Sequence, residues 1–304
     1  MYEKIMVPLD GSELAEVALP YAEGIASKLK AQLILLKVVQ EPESIYGLSG
    51  DDIESRQAEA EQYLQRLAEG FTVRGLDVRS EVRLGHDAST IIDASEEEGA
   101  DLIVIATHGR TGLVRWVLGS TADKVLHVTR KPVLLIRAKG EQPDVRQKGI
   151  FNRILVPLDG SRQGESVLPH VEDLASEFDS EIILFAAVPR ESYVRPVGTE
   201  GQYEVVPYSD EVIQSLLADS REYLEKMKDH LGGKGLAVVT DVEAGDPAEG
   251  IIDKAEEHHA NLVAMCTHGR SGVDRWAYGS VATKVLNAGT TPLLLVRVPE
   301  VRPQ

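Results

Sequence analysis

The sequence predicts an α/β protein built as two repeats of a doubly wound, five-stranded parallel sheet with helices on both faces. Short apolar runs alternate with stretches of helical spacing, an order that suits parallel strands joined by right-handed crossovers. Several of those runs, Leu102 to Ala106 among them, are apolar throughout, as strands covered on both faces are. The most distinctive segment also occurs twice. Asp101-Leu-Ile-Val-Ile-Ala-Thr-His-Gly-Arg-Thr-Gly112 returns as Asn261-Leu-Val-Ala-Met-Cys-Thr-His-Gly-Arg-Ser-Gly272.

In the first copy, Lys4–Leu9 reads as strand one, ending at Asp10-Gly11-Ser12. Ser12 is a good helix cap, and Leu14, Val17, Ala18, Tyr21, Ala22, Ile25 and Leu29 follow at helical spacing. Pro20 interrupts that pattern, as Pro169 does in the second copy, which predicts a kink or local break. Gln32–Val39 is strand two, 41–50 a polar loop and roughly Ile53–Thr72 a second helix. Asp77–Arg83 alternates as an edge or one-sided strand does. Ala88–Glu98 is a third helix, Leu102–Ala106 strand four, Ser120–Val128 a fourth helix and Val133–Arg137 strand five.

The second copy repeats this order. Ile5-Met-Val-Pro-Leu-Asp-Gly-Ser12 returns at 154–161, and Pro132-Val-Leu-Leu-Ile-Arg137 as Pro292-Leu-Leu-Leu-Val-Arg297. A period this long is a duplicated domain, not a solenoid repeat. We expect domains at 1–138 and 151–300, joined by a polar linker at 139–150. The main difference in length is 190–210, expected as a longer loop carrying Tyr193, Tyr203 and Tyr208.

Composition narrows the function. A net charge of -17 disfavours sequence-independent binding to nucleic acid or an anionic membrane. Cys266 is the single cysteine, so no internal disulfide forms and a reducing compartment fits. No signal peptide or apolar run of about 20 residues is visible, and a cytoplasmic location is expected.

Open parallel sheets bind ligands beyond the C-terminal strand ends, near the switch in strand order. Asp10 after strand one can accept hydrogen bonds from ribose hydroxyls. Gly109, Gly112, Gly119 and Ser120, at a loop and helix start, can offer backbone N–H groups to phosphate. Arg110 and Arg115 add local positive charge. The bland alternative is a packed loop and a capped helix. The sequence has no G-x-x-x-x-G-K-[ST], and no G-x-G-x-x-G follows strand one, which argues against a P-loop or dinucleotide fold. His258 and His259 are adjacent and diverge on a helix, so no metal site is expected.

On these residues both halves resemble universal stress protein domains. The family's nucleotide-binding members carry G-x2-G-x9-G-[ST] after strand four. The matching positions are Ala106, Gly109, Gly119 and Ser120, and again Cys266, Gly269, Gly279 and Ser280. The strand-one proline and aspartate match Pro8 and Asp10, and Pro157 and Asp159. The adenine-contacting valine matches Val38, with Ala187 as its counterpart. The resemblance implies ATP or AMP as ligand; whether Mg2+ accompanies the phosphates stays open. It also implies a sheet ordered 3-2-1-4-5 and pairing through strand five. In a tandem chain the two copies would pair with each other, and a further homodimer stays open. The loop residues Thr107, His108, Arg110 and Gly112, and Thr267, His268, Arg270 and Gly272, complete the expected binding set. Both copies lack the motif's first glycine, and the Cβ of Ala106 or Cys266 crowds any ligand that approaches the backbone closely.

The leading expectation is a nucleotide-binding protein of stress response or signalling. The alternatives are an interaction scaffold that binds no nucleotide, and a slow ATPase. No general base stands beside an attacking group in the pattern, so no catalytic residue is assigned.

Overall fold

The computed structural model describes residues 2–41, 50–108, 119–138, 150–197, 202–267 and 279–297, in backbone alone at 50, 51, 108, 138, 191–197 and 202–207. These residues form two compact units. The first holds those up to Ile150 together with 286–297, and the second holds 151–267 and 279–285.

The first unit is built on β1 (Lys4–Pro8), β2 (Gln32–Gln40), β3 (Val78–Gly85), β4 (Leu102–His108) and β5 (Val133–Ala138). Their order is β3-β2-β1-β4-β5, all parallel, which is the 3-2-1-4-5 arrangement. Ile5, Met6 and Val7 on β1 and Leu33 to Leu36 on β2 are wholly buried, because helices cover both faces there. β3 is an edge strand and mixes half-buried with exposed residues, so its charged positions meet water.

The break expected at Pro20 is present. α1 (Glu13–Glu16) is capped by Ser12, whose side chain accepts from the Ala15 N–H, and α2 (Leu19–Leu29) then starts with Pro20 in its first turn. A proline there sacrifices no helical hydrogen bond. Thus the proline starts a helix instead of kinking one. The unit continues with α3 (Gly50–Val73), α4 (Asp87–Glu97) and α5 (Ser120–Val128).

The second unit repeats these elements with β6 (Arg153–Pro157), α6 (Arg162–Glu165), α7 (Leu168–Phe178) and β7 (Glu181–Val188). Pro169 again lies in the first turn of its helix. The stretch 190–210, expected as a loop, instead contains an antiparallel hairpin of β8 (Glu191–Val197) and β9 (Gln202–Pro207). Its β-branched and aromatic residues, Tyr193, Val194, Val197, Tyr203, Val205 and Val206, favour strand over loop. Then come α8 (Asp210–Gly232), β10 (Ala237–Ala244), α9 (Pro247–Glu257), β11 (Leu262–Cys266) and α10 (Ser280–Ala288). The strand order in this unit is β10-β7-β6-β11, the same as its counterpart strands.

The last strand, β12 (Leu293–Val296), clusters with the first unit, where Leu294 lies opposite Leu134 in an antiparallel pairing with β5. Just beyond it, Arg297 Nη1 donates to the carbonyls of His127, Val128 and Thr129, each at 3.1 Å. Those carbonyls close α5, so the guanidinium satisfies a helix end that has no further backbone donors of its own.

Candidate functional site

In the second unit, the C-terminal strand ends converge on a cavity of about 590 Å³. β6 delivers Pro157 and then Asp159. Leu158 donates its N–H to the Phe185 carbonyl at 2.8 Å, carrying β6 one residue beyond its assigned end. The chain then turns at Gly160, whose φ of +76° an L side chain rarely adopts. Asp159 Oδ1 accepts from the Ser161 N–H at 3.0 Å and from Ser161 Oγ at 2.6 Å, fixing the carboxylate at the rim. Gly164 passes close beneath, since a Cβ there would lie 2.8 Å from Asp159 Oδ1.

β11 supplies the opposite wall. Cys266 is buried, with Sγ 3.2 Å from Ser166 Oγ and donating to the Gly164 carbonyl at 3.6 Å. Burial, more than any neighbouring charge, pushes its thiol up to about 11. Cys266 is therefore a neutral, packed wall residue at ordinary pH. Gly279 donates its N–H to the Thr267 carbonyl at 2.9 Å, drawing the start of α10 against the end of β11. The first-turn N–H groups of that helix have no intrahelical acceptor, which suits an anion or a polar ligand edge.

Of the residues expected from sequence, Pro157, Asp159, Ala187, Cys266, Thr267, Gly279 and Ser280 all line this one cavity. His268, Gly269, Arg270 and Gly272 lie outside the described residues. Sequence reasoning missed one wall, the stripe Leu216, Asp219, Ser220 and Tyr223 along α8. Those positions share a helix face at i, i+3, i+4 and i+7, a spacing that marks a face without saying what it covers. Also unanticipated were Phe185, Ile251 and Pro189, while Tyr208, expected on the longer loop after strand two, lines the cavity as well.

The first unit repeats the turn. Asp10 Oδ1 accepts from the Ser12 N–H at 2.8 Å, and Gly11 takes a φ of +91°. Pro8 ends β1, Val38 lies in β2 opposite Arg83, and Ala106 and Thr107 are buried on β4. Gly119 is the N-cap of α5, and Ser120 opens it. His108 ends β4 in backbone terms, and its side chain, with Gly109, Arg110 and Gly112, lies outside the described residues. One difference stands out in the geometry. Lys37 Nζ donates to the Asp10 carbonyl and sits 5.2 Å from the centroid of the Tyr63 ring.

His258 does not meet a metal-like cluster. Its Nε2 lies 2.9 Å from Asp241 Oδ2, and Lys254 Nζ reaches the same carboxylate at 3.1 Å. Among the described residues no group of three or more His, Cys, Asp or Glu is placed to hold a metal ion. Nor, among them, is any helix long and apolar enough to cross a membrane.

Fold and site together define a tandem α/β protein with a ligand-sized cavity at the carboxyl ends of its strands. The sequence profile of the Universal stress protein family matches residues 1–137 and 151–297, and the chain belongs to that family as a two-domain member. It is 27% identical over 303 residues to a universal stress protein of Mycolicibacterium smegmatis, covering 96% of each chain. It is 31% identical over 149 residues to the universal stress protein YxiE of Bacillus subtilis, covering 49% of this chain and 100% of that one. A universal stress protein structure from Archaeoglobus fulgidus superposes with a TM-score of 0.75 at 22% identity, covering 98% of this chain and 99% of the other.

Proposed function

We propose that the chain is an adenine-nucleotide receptor of stress response or signalling, working in the cytoplasm with one site per domain. The reading takes the domains as 1–138 and 151–300, joined by 139–150. The observation that carries it is the convergence of Asp159, Ala187, Cys266, Gly279 and Ser280 on one cavity of about 590 Å³. That volume falls within the roughly 300–1,000 Å³ usual for small-molecule sites.

Each residue has a distinct role in this reading. Asp159, and Asp10 in the first domain, accept from ribose hydroxyls. Main-chain groups at Ala187 and Val38 meet the base edge, so the change from valine to alanine is tolerated. Ser280 and Ser120 open helices whose first-turn N–H groups meet phosphate, and Gly279 braces one of those starts through its N–H to the Thr267 carbonyl. The glycine-bearing loops at 109–112 and 269–272 complete the phosphate side. Ala106 and Cys266 narrow both sites at the motif's first position. The further reading is that the two domains make the family's strand-five pairing within one chain.

The test is calorimetric titration of nucleotide-stripped protein with ATP and with AMP, each with and without Mg2+. Saturable binding at one or two equivalents is expected. No heat at several temperatures, with no protection against thermal unfolding, would overturn the receptor reading in favour of a scaffold. Steady release of ADP would make the protein a slow ATPase.

A further inference from the structure

The α8 wall of the second cavity carries two polar side chains that the roles above leave unused. Asp219, exposed, and Ser220, half-buried, line it together with Leu216 and Tyr223. Elsewhere Thr72, Ser95 and Ser166 return their hydroxyls to carbonyls three or four residues back. Among the described residues Ser220 makes no such bond, and the Asp219 carboxylate has no hydrogen-bond or ion-pair partner. A hydroxyl that does not bond back to its helix is open to a ligand.

The fold sets this pair beside the base and apart from the phosphate side. The chain runs from β6 outward to β7 and β10, then returns past β6 to β11. With right-handed crossovers, that reversal puts α8 on one face of the sheet and α9 on the other. Tyr223 of α8 bonds to Glu165 of α6, whereas Lys284 of α10 bonds to Asp246 at the start of α9. The phosphate-side helix α10 therefore stands with α9, across the sheet from α8. The α8 helix is also pinned to the end of β7, where Ile213 and Leu217 cluster with Val188 and Leu216 packs against them. Val188 directly follows Ala187, whose main chain meets the base edge in the reading above. Asp219 and Ser220 lie within about one helical turn of Leu216.

Their chemistry selects an edge. An ionised carboxylate only accepts hydrogen bonds, while a hydroxyl donates or accepts. A purine amine beside a ring nitrogen, as in adenine, offers a donor to the first and an acceptor to the second. An oxo group in the amine's place turns an acceptor toward the carboxylate and leaves both without a donor. We infer that Asp219 and Ser220 read the amino edge of the base, so that the second cavity selects amino-purine nucleosides and nucleotides over their oxo-purine counterparts. The inference deepens the nucleotide-receptor reading and rests on it.

The test uses the full chain with adenosine and with inosine, which differ at this one group. Cys266 is the single cysteine and lines the same cavity, so its alkylation, followed by mass spectrometry at alkaline pH, reports on occupancy there. Adenosine should protect it at about tenfold lower concentration than inosine, the size of one hydrogen bond to a charged group. Asp219→Asn supplies an amide that also donates to an oxo group, so the two nucleosides should then protect at about equal concentrations. Ser220→Ala should raise the adenosine concentration required about threefold. Equal protection by the two nucleosides in the unmodified chain would overturn the inference and leave the receptor reading standing. So would an adenosine preference that survives Asp219→Asn in a chain whose urea unfolding is intact. Protection by neither nucleoside, with calorimetric heat from adenosine, would do the same. Neither protection nor heat would remove both readings.

Discussion

Tyr223 donates its hydroxyl to Glu165 Oε1 at 2.9 Å, tying long helix α8 to short helix α6 beside the cavity. Tyr63 and Glu16 make the same bond at the same distance in the first domain. Burial, reinforced by the bond to Glu16, holds the Tyr63 phenol well above its ordinary range. Tyr223→Phe keeps the ring wall but leaves the half-buried carboxylate without this donor. A loss of about 1 kcal/mol in stability is expected by urea unfolding, with adenosine affinity little changed.

Gly164→Ala is a sharper probe of the site. The added Cβ would lie 2.8 Å from Asp159 Oδ1, too close for both atoms to stay. The carboxylate is the part able to swing away, so the ligand-facing geometry should suffer more than the fold. Calorimetry should register at least a threefold loss of nucleoside affinity at the second site, where a one-ångström displacement of a positioned group weighs heavily. Unchanged affinity would show that Asp159 does not hold ribose.

Helix α9 begins at Asp246, whose Oδ1 accepts from the N–H groups of Ala248 at 2.9 Å and Glu249 at 3.1 Å. Its other oxygen pairs with Lys284 Nζ at 2.7 Å. The equivalent His86 of α4 makes no side-chain cap bond, although its backbone is already extended as a cap requires. Asp246→Ala should therefore cost about 1 kcal/mol, and His86→Asp should gain about 0.5–1 kcal/mol in thermal or urea unfolding.

The same aspartate predicts a pH dependence. The Lys284 ammonium, with help from the two backbone donors, lowers its carboxyl below the ordinary value of 3.8. The unfolded chain thus binds this proton more readily than the folded chain. Asp246's contribution is full above the unfolded value and is lost as pH falls through the folded one. Stability curves of the native chain and Asp246→Ala should keep a constant separation well above pH 3.8 and converge as pH falls below it.

Cys266 offers a probe native to the chain. With its thiol at about 11, alkylation should be slow at neutral pH and keep rising well past pH 9. A ligand filling the second cavity should slow it further. A rate that levels off near pH 9, followed by thiol-reagent mass spectrometry, would show an exposed thiol instead.

Much of this architecture was legible in the residues. Runs such as Leu33 to Leu36 are apolar throughout because helices cover both faces of their strand, and that pattern needs no tertiary knowledge to read. Asp159 and Ser280 could be matched because the turn and the helix start belong to repeated local motifs. The α8 wall could not. Leu216, Asp219, Ser220 and Tyr223 are brought to the cavity by the helix's azimuth over the sheet, which depends on distant packing. The strands at 191–197 and 202–207 are hidden in the sequence because the extra length there signals a loop more strongly than the β-branched residues signal a strand. Lys37 was passed over as a charge in an apolar strand, and only its approach to Asp10 and Tyr63 gives it meaning.

The capping of α5 by Arg297 bears on how the protein is made. A helix near the middle of the chain is finished by a residue about 170 positions downstream, and β5 is bordered by a strand from the same late segment. During synthesis the first unit must therefore stand incomplete, with one edge of β5 unpaired, until the chain has been made through Arg297. An open apolar edge is an invitation to pair with the wrong chain. Expressing the first half alone should thus yield either a dimer that borrows a second copy's edge or an aggregate, so the gene cannot be cut in two without consequence for its product.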